Sequence, residues 1–186
     1  MLKQIKSSFK RSKTIRSLNN AFKTLQSLEQ QTNPRFKLHP SNKQLCFDDN
    51  TTYTGFDRHY VYHPAWATRI VKQINPQKHI DISSTLHFCS ILSAFIPVDF
   101  YDYRPAQIQL DHLKSLQADL MNLPFETDSV TSISCMHTIE HIGLGRYGDP
   151  LDYDGDIKAI KELKRVVAPG GNLLIVVPRS REYYLL

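Results

Sequence analysis

The sequence predicts an α/β domain built on a mostly parallel sheet. Residues 130–135 (VTSISC) and 172–177 (NLLIVV) are rich in β-branched and apolar side chains, and a charged amphipathic segment lies between them. A strand, a crossover helix and a second strand in this order form parallel neighbours in one sheet. Residues 79–84 and 97–102 make a second such pair around a helix-like run that ends near Phe95.

The composition is that of a globular protein, with 41% hydrophobic and 22% charged residues among 186. The three cysteines (Cys46, Cys89 and Cys135) are widely spaced and odd in number, so we interpret them as buried thiols of a reducing compartment. No apolar run is long enough to span a membrane, and the first residues lack the apolar core of a secretion signal. We therefore expect a cytoplasmic protein, with association at the inner face of a membrane as an alternative.

The net charge of +5 is concentrated at the N-terminus, where seven lysines and arginines precede the first acidic residue, Glu29. Apolar side chains spaced by three and four from Leu2 to Leu28 predict a basic amphipathic helix, the N-terminal arm at residues 1–30. Residues 1–28 could lie on an anionic membrane surface or dock on a partner, pack on the domain as a solubilising helix, or serve as a transit peptide. Nucleic acid is disfavoured because no base-stacking motif accompanies the charge.

Breakers such as Asn33-Pro34 and His39-Pro40 predict a linker at residues 31–52, which leaves residues 53–186 as the main domain. Its first part is aromatic, and we expect Pro64 in the first turn of a helix that ends at Asn75. Most of these rings should pack on the sheet. Tyr60 and His63 are candidate pocket residues.

A further strand is expected at 116–119. The strand introduced above as part of 172–177 is apolar on both faces at 173–177, as in a buried parallel strand. A helix should run through Ile157 and Val166 to a stop at Pro169-Gly170. The second strand ends at Asp102, 21 positions after Asp81, which matches a βαβ unit whose carboxylate holds a ribose diol. Ligands bind beyond the carboxyl ends of such strands, so residues 136–141 should face the site.

Several segments resemble the successive motifs of class I S-adenosylmethionine-dependent methyltransferases: Asp81, Asp102, the sequence ADL at 118–120 before LPF at 123–125, residues 135–141, and LKRVVAPGG at 163–171. The segments GFDRHY, HIDIS, YDYRP and IEHIGLGRYGDPLDYDGDIKAIKELKRV more narrowly resemble a bacterial domain-of-unknown-function family, number 268. Members of that family tend to lie among surface-polysaccharide biosynthesis genes. The resemblance covers residues 53–178.

This resemblance implies a Rossmann-like sheet, S-adenosylmethionine as cofactor, and transfer of its methyl group to a sugar or another small acceptor. It implies that Asp102 holds the ribose hydroxyls, that Asp119 accepts from the adenine amino group, and that Leu120 packs on the ring. Asp81 and Ser83 would line the methionine end, and Met136 and His137 would approach the cofactor from strand four.

Two features depart from the methyltransferase pattern. The turn after strand one, residues 81–87, contains no glycine, although glycine there permits close approach of the backbone to a ligand. This fold normally has two further strands after the fifth, and only residues 178–186 follow here, so we expect 173–177 to lie at an edge. The alternatives are therefore a catalytically inactive binding or scaffold protein, a truncated fragment, or a homo-oligomer or other partner that covers this strand.

If the acceptor is a hydroxyl, a base should remove its proton, and the candidates are His141, our first choice, Glu140 and His137. The same three residues could instead form a hydrogen-bonded cluster that fixes the loop after strand four. His137, Glu140 and His141 also match an inverted zinc-protease pattern, but no third ligand is evident and we predict no metal site. Arg146 and Tyr147, in the glycine-rich loop at 143–148, are predicted to contact an anionic substrate.

Overall fold

The computed structural model describes residues 2–47 and 49–178, with the backbone alone for residues 2–10. Clustering of contacts divides the chain into two compact units, residues 1–55 and 56–186. The helices are α1 Leu2–Gln31, α2 Arg58–Ile74, α3 Leu86–Leu92 and α4 Gly155–Val166, with short 3-10 turns at Pro40–Asn42 and Ile139–His141. The strands are β1 His79–Ile82, β2 Val98–Asp102, β3 Leu113–Gln117, β4 Val130–Met136 and β5 Val167–Val176.

The five strands form one sheet in the order β3-β2-β1-β4-β5, and all four pairings are parallel. The predicted Rossmann-like α/β fold with an N-terminal helix is confirmed. The chain leaves β1 in one direction for β2 and β3, then returns to the other side of β1 for β4 and β5. The crevice beyond the carboxyl ends of β1 and β4, where the order reverses, is the usual ligand position in such sheets.

Two apolar clusters fill the two faces of the sheet. Leu163 and Val166 of α4 pack with Ile80 and Ile133 on one face, whereas α2 and α3 pack on the other through residues such as Phe88. Fully burying an apolar side chain of this size contributes about 1.5 to 3 kcal/mol each, so the sheet is held from both sides. The strand ends are therefore fixed points on which a site can be built.

The third strand lies earlier in the chain than predicted. β3 begins at Leu113, not at Leu116, because Leu113 is buried and pairs with Val98 of β2. Asp119 consequently lies beyond the strand, in a turn bridged to Asn122. The predicted range 116–119 was wrong, yet Asp119 still follows the carboxyl end of a strand.

The predicted stop of α4 at Pro169-Gly170 was also wrong, since the helix ends at Val166 and β5 starts at once. Val130 pairs with Val167 and Ser132 pairs with Asn172, so the segment 168–171 bulges from the ladder. A bulge accepts proline because it needs no ladder hydrogen bond there. Within β5 only Leu174 is buried, because this strand lies at the sheet edge, and no strand follows it in the described residues.

Helix α2 begins earlier than predicted, at Arg58. The Asp57 side chain caps this end by accepting hydrogen bonds from the backbone amides of His59 and Tyr60. Pro64 therefore lies inside the helix and not in its first turn. The helix ends at Asn75, as expected, in a left-handed conformation. The aromatic segment is thus helical through residues 60–66.

Within the first unit, residues between Leu38 and Phe47 contact α1, although they fall in the predicted linker. The Glu29 carboxylate accepts a hydrogen bond from the Leu38 amide, and Lys43 Nζ donates to Asn19 Oδ1 and lies 4.9 Å from the centre of the Phe22 ring. The side chains expected at residues 2–10 and the tail at 179–186 lie outside the described residues. Membrane contact through residues 1–28 and a second copy over 173–177 stay predictions.

The cysteines correct one further expectation. Cys89 and Cys135 are buried free thiols, as predicted, whereas Cys46 is exposed. In the described part of the chain no helix is both long and apolar enough to cross a membrane.

Candidate functional site

A cavity of about 180 Å³ opens beyond the carboxyl ends of β1, β2 and β4. Its walls come from these strand ends and from the loops after β3 and β4: Ser83, Asp102, Tyr103, Arg104, Ala118, Asp119, Leu120, Met121, His137, Thr138, Ile142, Tyr147 and Asp149. The sheet order brings together predicted site residues that are distant in the chain. Thr138 falls in the range 136–141 that was expected to face the site, whereas Tyr103, Arg104 and Asp149 were not singled out from the sequence as site residues.

Asp102 and Asp119 share this cavity, and each has one carboxylate oxygen occupied by its own turn. Asp102 Oδ1 accepts from the Arg104 amide at 2.7 Å, and Asp119 Oδ1 accepts from the Met121 amide at 2.8 Å. The Oδ2 atoms have no hydrogen-bond partner among the described residues. Two fixed carboxylates thus keep acceptor capacity for a ligand.

Apolar side chains line the cavity together with the two carboxylates. Ala118 and Leu120 flank Asp119, and Leu120 is anchored in the α4 face of the core. The Ala118 amide donates to the backbone oxygen of Asp102, which ties the end of β2 to the segment after β3. A flat ligand would therefore meet apolar side chains beside hydrogen-bond acceptors.

Ser83 is the first residue of the glycine-free turn after β1. Ser83 has φ of +53°, a left-handed conformation that costs a residue with a Cβ about 1 kcal/mol or more. Its amide donates to the Tyr101 oxygen at 2.8 Å and its hydroxyl donates to the same atom at 3.2 Å. The turn takes the shape that glycine would allow, with a side chain added at the cavity wall.

Asp81 and Met136, both predicted to contact the cofactor, do not line the cavity. Asp81 is fully buried and accepts hydrogen bonds from the Ser84 amide and from the Ser134 hydroxyl. Burial raises the pKa of its carboxyl to about 6, while the bonds from Ser134 and Ser84 oppose that rise. Met136 is 1% exposed in the core against α2 and α3. Both side chains are buried beneath the cavity wall, where they stabilise the ends of β1 and β4.

His137 lies at the end of β4 with φ of +58°, the second left-handed residue with a Cβ at the cavity. Its Nδ1 lies 3.4 Å from Glu140 Oε1, and its Nε2 is buried without a hydrogen-bond partner in the part of the chain that the structure describes. A carboxylate beside Nδ1 favours the tautomer that carries its proton there, which leaves Nε2 as an acceptor. This pair has the arrangement of an oriented general base.

His141, our first choice for the base, faces a cation instead. An Arg146 guanidinium nitrogen lies 3.2 Å from its Nδ1 and 3.0 Å from its Nε2. Burial lowers the pKa of His141, and the nearby Arg146 charge lowers it further. His141 does not line the cavity, whereas Tyr147, whose ring contacts that of His141, does. His141 therefore interacts with Arg146 and does not line the cavity, whereas His137 does.

The glycine-rich loop is organised by Asp149, which sequence reasoning missed. Its carboxylate accepts hydrogen bonds from the backbone amides of Gly143, Gly145 and Tyr147, at 3.1 to 3.3 Å. This fixes Tyr147 at the cavity, where the Arg104 guanidinium lies 4.6 Å from its ring centre and that of Arg146 5.1 Å. The predicted substrate contacts Arg146 and Tyr147 therefore lie on an ordered loop. Among the described residues, no group of His, Cys, Asp or Glu side chains is arranged to hold a metal ion.

Comparison with known proteins gives one family match. The family model described as "Caenorhabditis protein of unknown function, DUF268" matches residues 106–183. No curated protein matches the chain. The bacterial polysaccharide-gene context of the resemblance is not part of this match.

Among solved structures, YcgJ from Bacillus subtilis is 19% identical, with a TM-score of 0.45 over 61% of this chain and 50% of that one. A Methanococcus maripaludis protein described as an S-adenosyl-L-methionine-dependent methyltransferase is 18% identical, with a TM-score of 0.41 over 61% and 54%. The methyltransferase in a complex with the Trm112 activator of Haloferax volcanii is 18% identical, with a TM-score of 0.41 over 60% of this chain and 58% of that one. The chain spans about half the length of these structures.

Proposed function

We propose that this chain binds S-adenosylmethionine in the strand-end cavity and directs its methyl group to a small hydroxyl-bearing acceptor. The observation that carries the proposal is the pair of carboxylates at Asp102 and Asp119, each with one oxygen held by its turn and the other left without a partner. A nucleoside offers hydroxyl and amino donors on either side of a flat ring, and this spacing of acceptors around an apolar surface suits it.

The residues present fit the nucleoside end of the cofactor. Asp102 would accept from the ribose hydroxyls and Asp119 from the adenine amino group, with Leu120 against the ring. Ser83 and Thr138, which are joined by a hydrogen bond, also line the cavity and would border the methionine end. When bound, S-adenosylmethionine supplies a methyl group on a positively charged sulfur, which an acceptor oxygen can displace in line.

His137 is the better candidate for the base than His141. Its Nε2 has no partner, Glu140 orients its other nitrogen, and it lines the cavity, whereas His141 is occupied by Arg146. His137 would receive the acceptor proton at Nε2, and Glu140 would stabilise the imidazolium that results. A sugar acceptor of surface-polysaccharide biosynthesis is the finer form of this proposal, and the sequence resemblance alone supports it.

A non-catalytic binding protein is the second candidate, favoured by one observation. Ser83 places a Cβ and a hydroxyl where glycine would leave room, and holds them there in a strained conformation. If that side chain excludes the cofactor, the cavity would serve another ligand.

Calorimetric titration of the folded chain with S-adenosylhomocysteine tests the proposal. We expect micromolar binding, and a loss of about tenfold or more in Asp102→Ala because hydrogen bonds to a charged group contribute about 1.5 to 3 kcal/mol. Asp111→Ala is the matched control, since Asp111 is exposed and outside the cavity. Absence of heat from a protein with native circular dichroism, or equal affinities for the two variants, would overturn the proposal.

A further inference from the structure

Three neighbouring side chains in the second unit hold buried polar atoms without a well-aligned hydrogen-bond partner among the described residues. His63 of α2 is 7% exposed, and its ring interacts with the backbone oxygen of His59, one turn earlier. His137 Nε2 and Glu140 Oε2 have no partner in the described part of this unit. The ring centres of His63 and His137 are 4.8 Å apart. A buried polar group without a partner costs about 1 to 3 kcal/mol, so a cluster of them points to a ligand that satisfies them.

His63 also lines a second depression, separate from the strand-end cavity. This groove of about 700 Å³ lies between α2 and the end of β5, and its lining is Arg58, His59, Tyr62, His63, Trp66 and residues 175–177. His137 lines the cavity and not the groove. The two imidazoles in contact therefore connect the candidate cofactor site with an open surface groove.

The lining of the groove defines the chemistry of its ligand. Arg58 supplies a full positive charge, and none of the described lining residues is an Asp or Glu. Tyr62 and Trp66 are 56% and 43% exposed, so aromatic surface is available for a ring or other apolar face. Burial lowers the pKa of His63, which therefore stays neutral near pH 7 and offers one donor and one acceptor nitrogen, the pair that a hydroxyl group needs.

We propose that this groove binds the methyl acceptor, an anionic ring compound carrying hydroxyl groups, with its anionic group at Arg58 and a hydroxyl at His63. The identity of the ligand as the acceptor rests on the function proposed above, whereas the binding site itself does not. A hydroxyl held by His63 would stand beside His137, the candidate base. His63 is then a substrate-positioning residue that the methyl-transfer motifs do not include.

Access to His63 requires a side-chain movement. The Tyr60 ring is 54% exposed and contacts both histidines, with centre distances of 5.6 Å to His63 and 5.7 Å to His137. An exposed side chain changes rotamer within nanoseconds, so Tyr60 can turn outward when a ligand enters.

Trp66 makes the test direct, because it is the single tryptophan of the chain and lies in the groove. Its emission should change saturably when the folded full chain is titrated with glucose 1-phosphate or glucuronic acid, without any cofactor. Neutral glucose should bind about tenfold more weakly, because it lacks the charge that Arg58 would contact.

Arg58→Gln and His63→Leu should each weaken this response about tenfold. Arg69→Gln is the matched control, since Arg69 is an exposed arginine of the same helix outside the groove. Arg58 is exposed, so its variant should fold even where His63→Leu does not. No saturable change with either anionic probe, or equal responses from Arg58→Gln and Arg69→Gln, would overturn the proposal.

These outcomes are distinguishable from failure of the proposed function. If S-adenosylhomocysteine did not bind and the Trp66 response remained, the proposed cofactor would be wrong and the groove would stand as a binding site. The reverse result would leave a cofactor site whose acceptor enters elsewhere.

Discussion

The hydroxyl of Thr138 donates a hydrogen bond to the backbone oxygen of Ser83, 2.9 Å away. This bond joins the second residue after β4 to the first residue after β1, at the point where the sheet order reverses. Both residues line the candidate cofactor cavity, and Thr138 is 6% exposed. The bond therefore holds together the two sides of the crevice that the fold provides for a ligand.

Thr138→Val should remove this bond and leave the Ser83 oxygen without its partner. We expect the free energy of unfolding to fall by about 1 to 2 kcal/mol, because a buried acceptor loses its donor at nearly constant side-chain volume. The affinity for S-adenosylhomocysteine should fall as well, because the two segments that line the cavity would no longer be joined by this bond. Urea denaturation and calorimetry measure the two effects.

Thr138→Ser is the control, because it keeps the hydroxyl and loses one methyl group. It should retain most of the stability and affinity that Thr138→Val loses. If both variants lost the same amount, the methyl group and not the hydrogen bond would be responsible.

Ser83 offers a prediction on backbone strain. Its φ of +53° is unfavourable for any residue with a Cβ, and its hydroxyl also donates to the Tyr101 oxygen. Ser83→Ala removes that hydroxyl and keeps the strain, whereas Ser83→Gly removes both. We expect the glycine variant to be more stable than the alanine variant by about 1 kcal/mol.

Thermal or urea unfolding of the two Ser83 variants side by side measures this difference. The glycine variant should also bind S-adenosylhomocysteine more tightly, because the cavity wall loses a side chain. An alanine variant as stable as the glycine variant would show that the turn changes conformation when the hydroxyl is lost.

Local pattern was sufficient to predict the sheet and the position of Asp102 at its edge. Runs of β-branched residues indicated the strands, and the rule that ligands lie beyond parallel strand ends pointed to Asp102, whereas Asp119 was named from the family resemblance. Asp119 reached the cavity although the boundary of β3 was wrong, because the turn after a strand lies at the same edge. Boundaries depend on register with the neighbouring strand, which a local pattern does not encode.

The remainder of the site depends on contacts between distant segments. Asp81 has the expected position at the end of β1, but Ser134 of the adjacent β4 closes it off. The contact between His63 and His137 requires α2 to pack against the end of β4. Asp149 bonds three amides of a loop whose shape cannot be derived from spacing alone.

Gly155 supports a prediction on how the glycine-rich loop is held. It opens α4 against the loop, and a Cβ there would lie 2.8 Å from Gly143 Cα and from the Ile142 oxygen. These are backbone atoms with little freedom to move, so Gly155→Ala should cost about 1 to 3 kcal/mol and displace Tyr147 from the cavity. Gly55→Ala is the control, since a Cβ there meets nothing within 4 Å. Equal unfolding free energies for the two variants would contradict the packing.

His79 leads to a prediction on the pH dependence of stability. It is fully buried at the start of β1, with Nδ1 2.8 Å from the Ser132 hydroxyl and Nε2 2.9 Å from that of Ser134. Burial lowers its pKa from 6.5 to about 4. As pH falls from 6.5 towards 4, the unfolded chain binds a proton at His79 and the folded chain does not, so the folded state loses stability. Asp81 acts in the opposite direction, because its raised pKa of about 6 means that the folded state takes up the proton first.

His79→Gln isolates the histidine contribution, because Asp81 is present in both proteins and a buried amide can still bond the two serine hydroxyls. The stability of the wild type relative to this variant should fall by about 2 to 3 kcal/mol between pH 7.5 and pH 4.5. Denaturant unfolding at several pH values across this range measures the difference. A difference that stays constant with pH would mean that His79 titrates alike in the folded and unfolded chains, and that its two serine bonds do not hold it neutral.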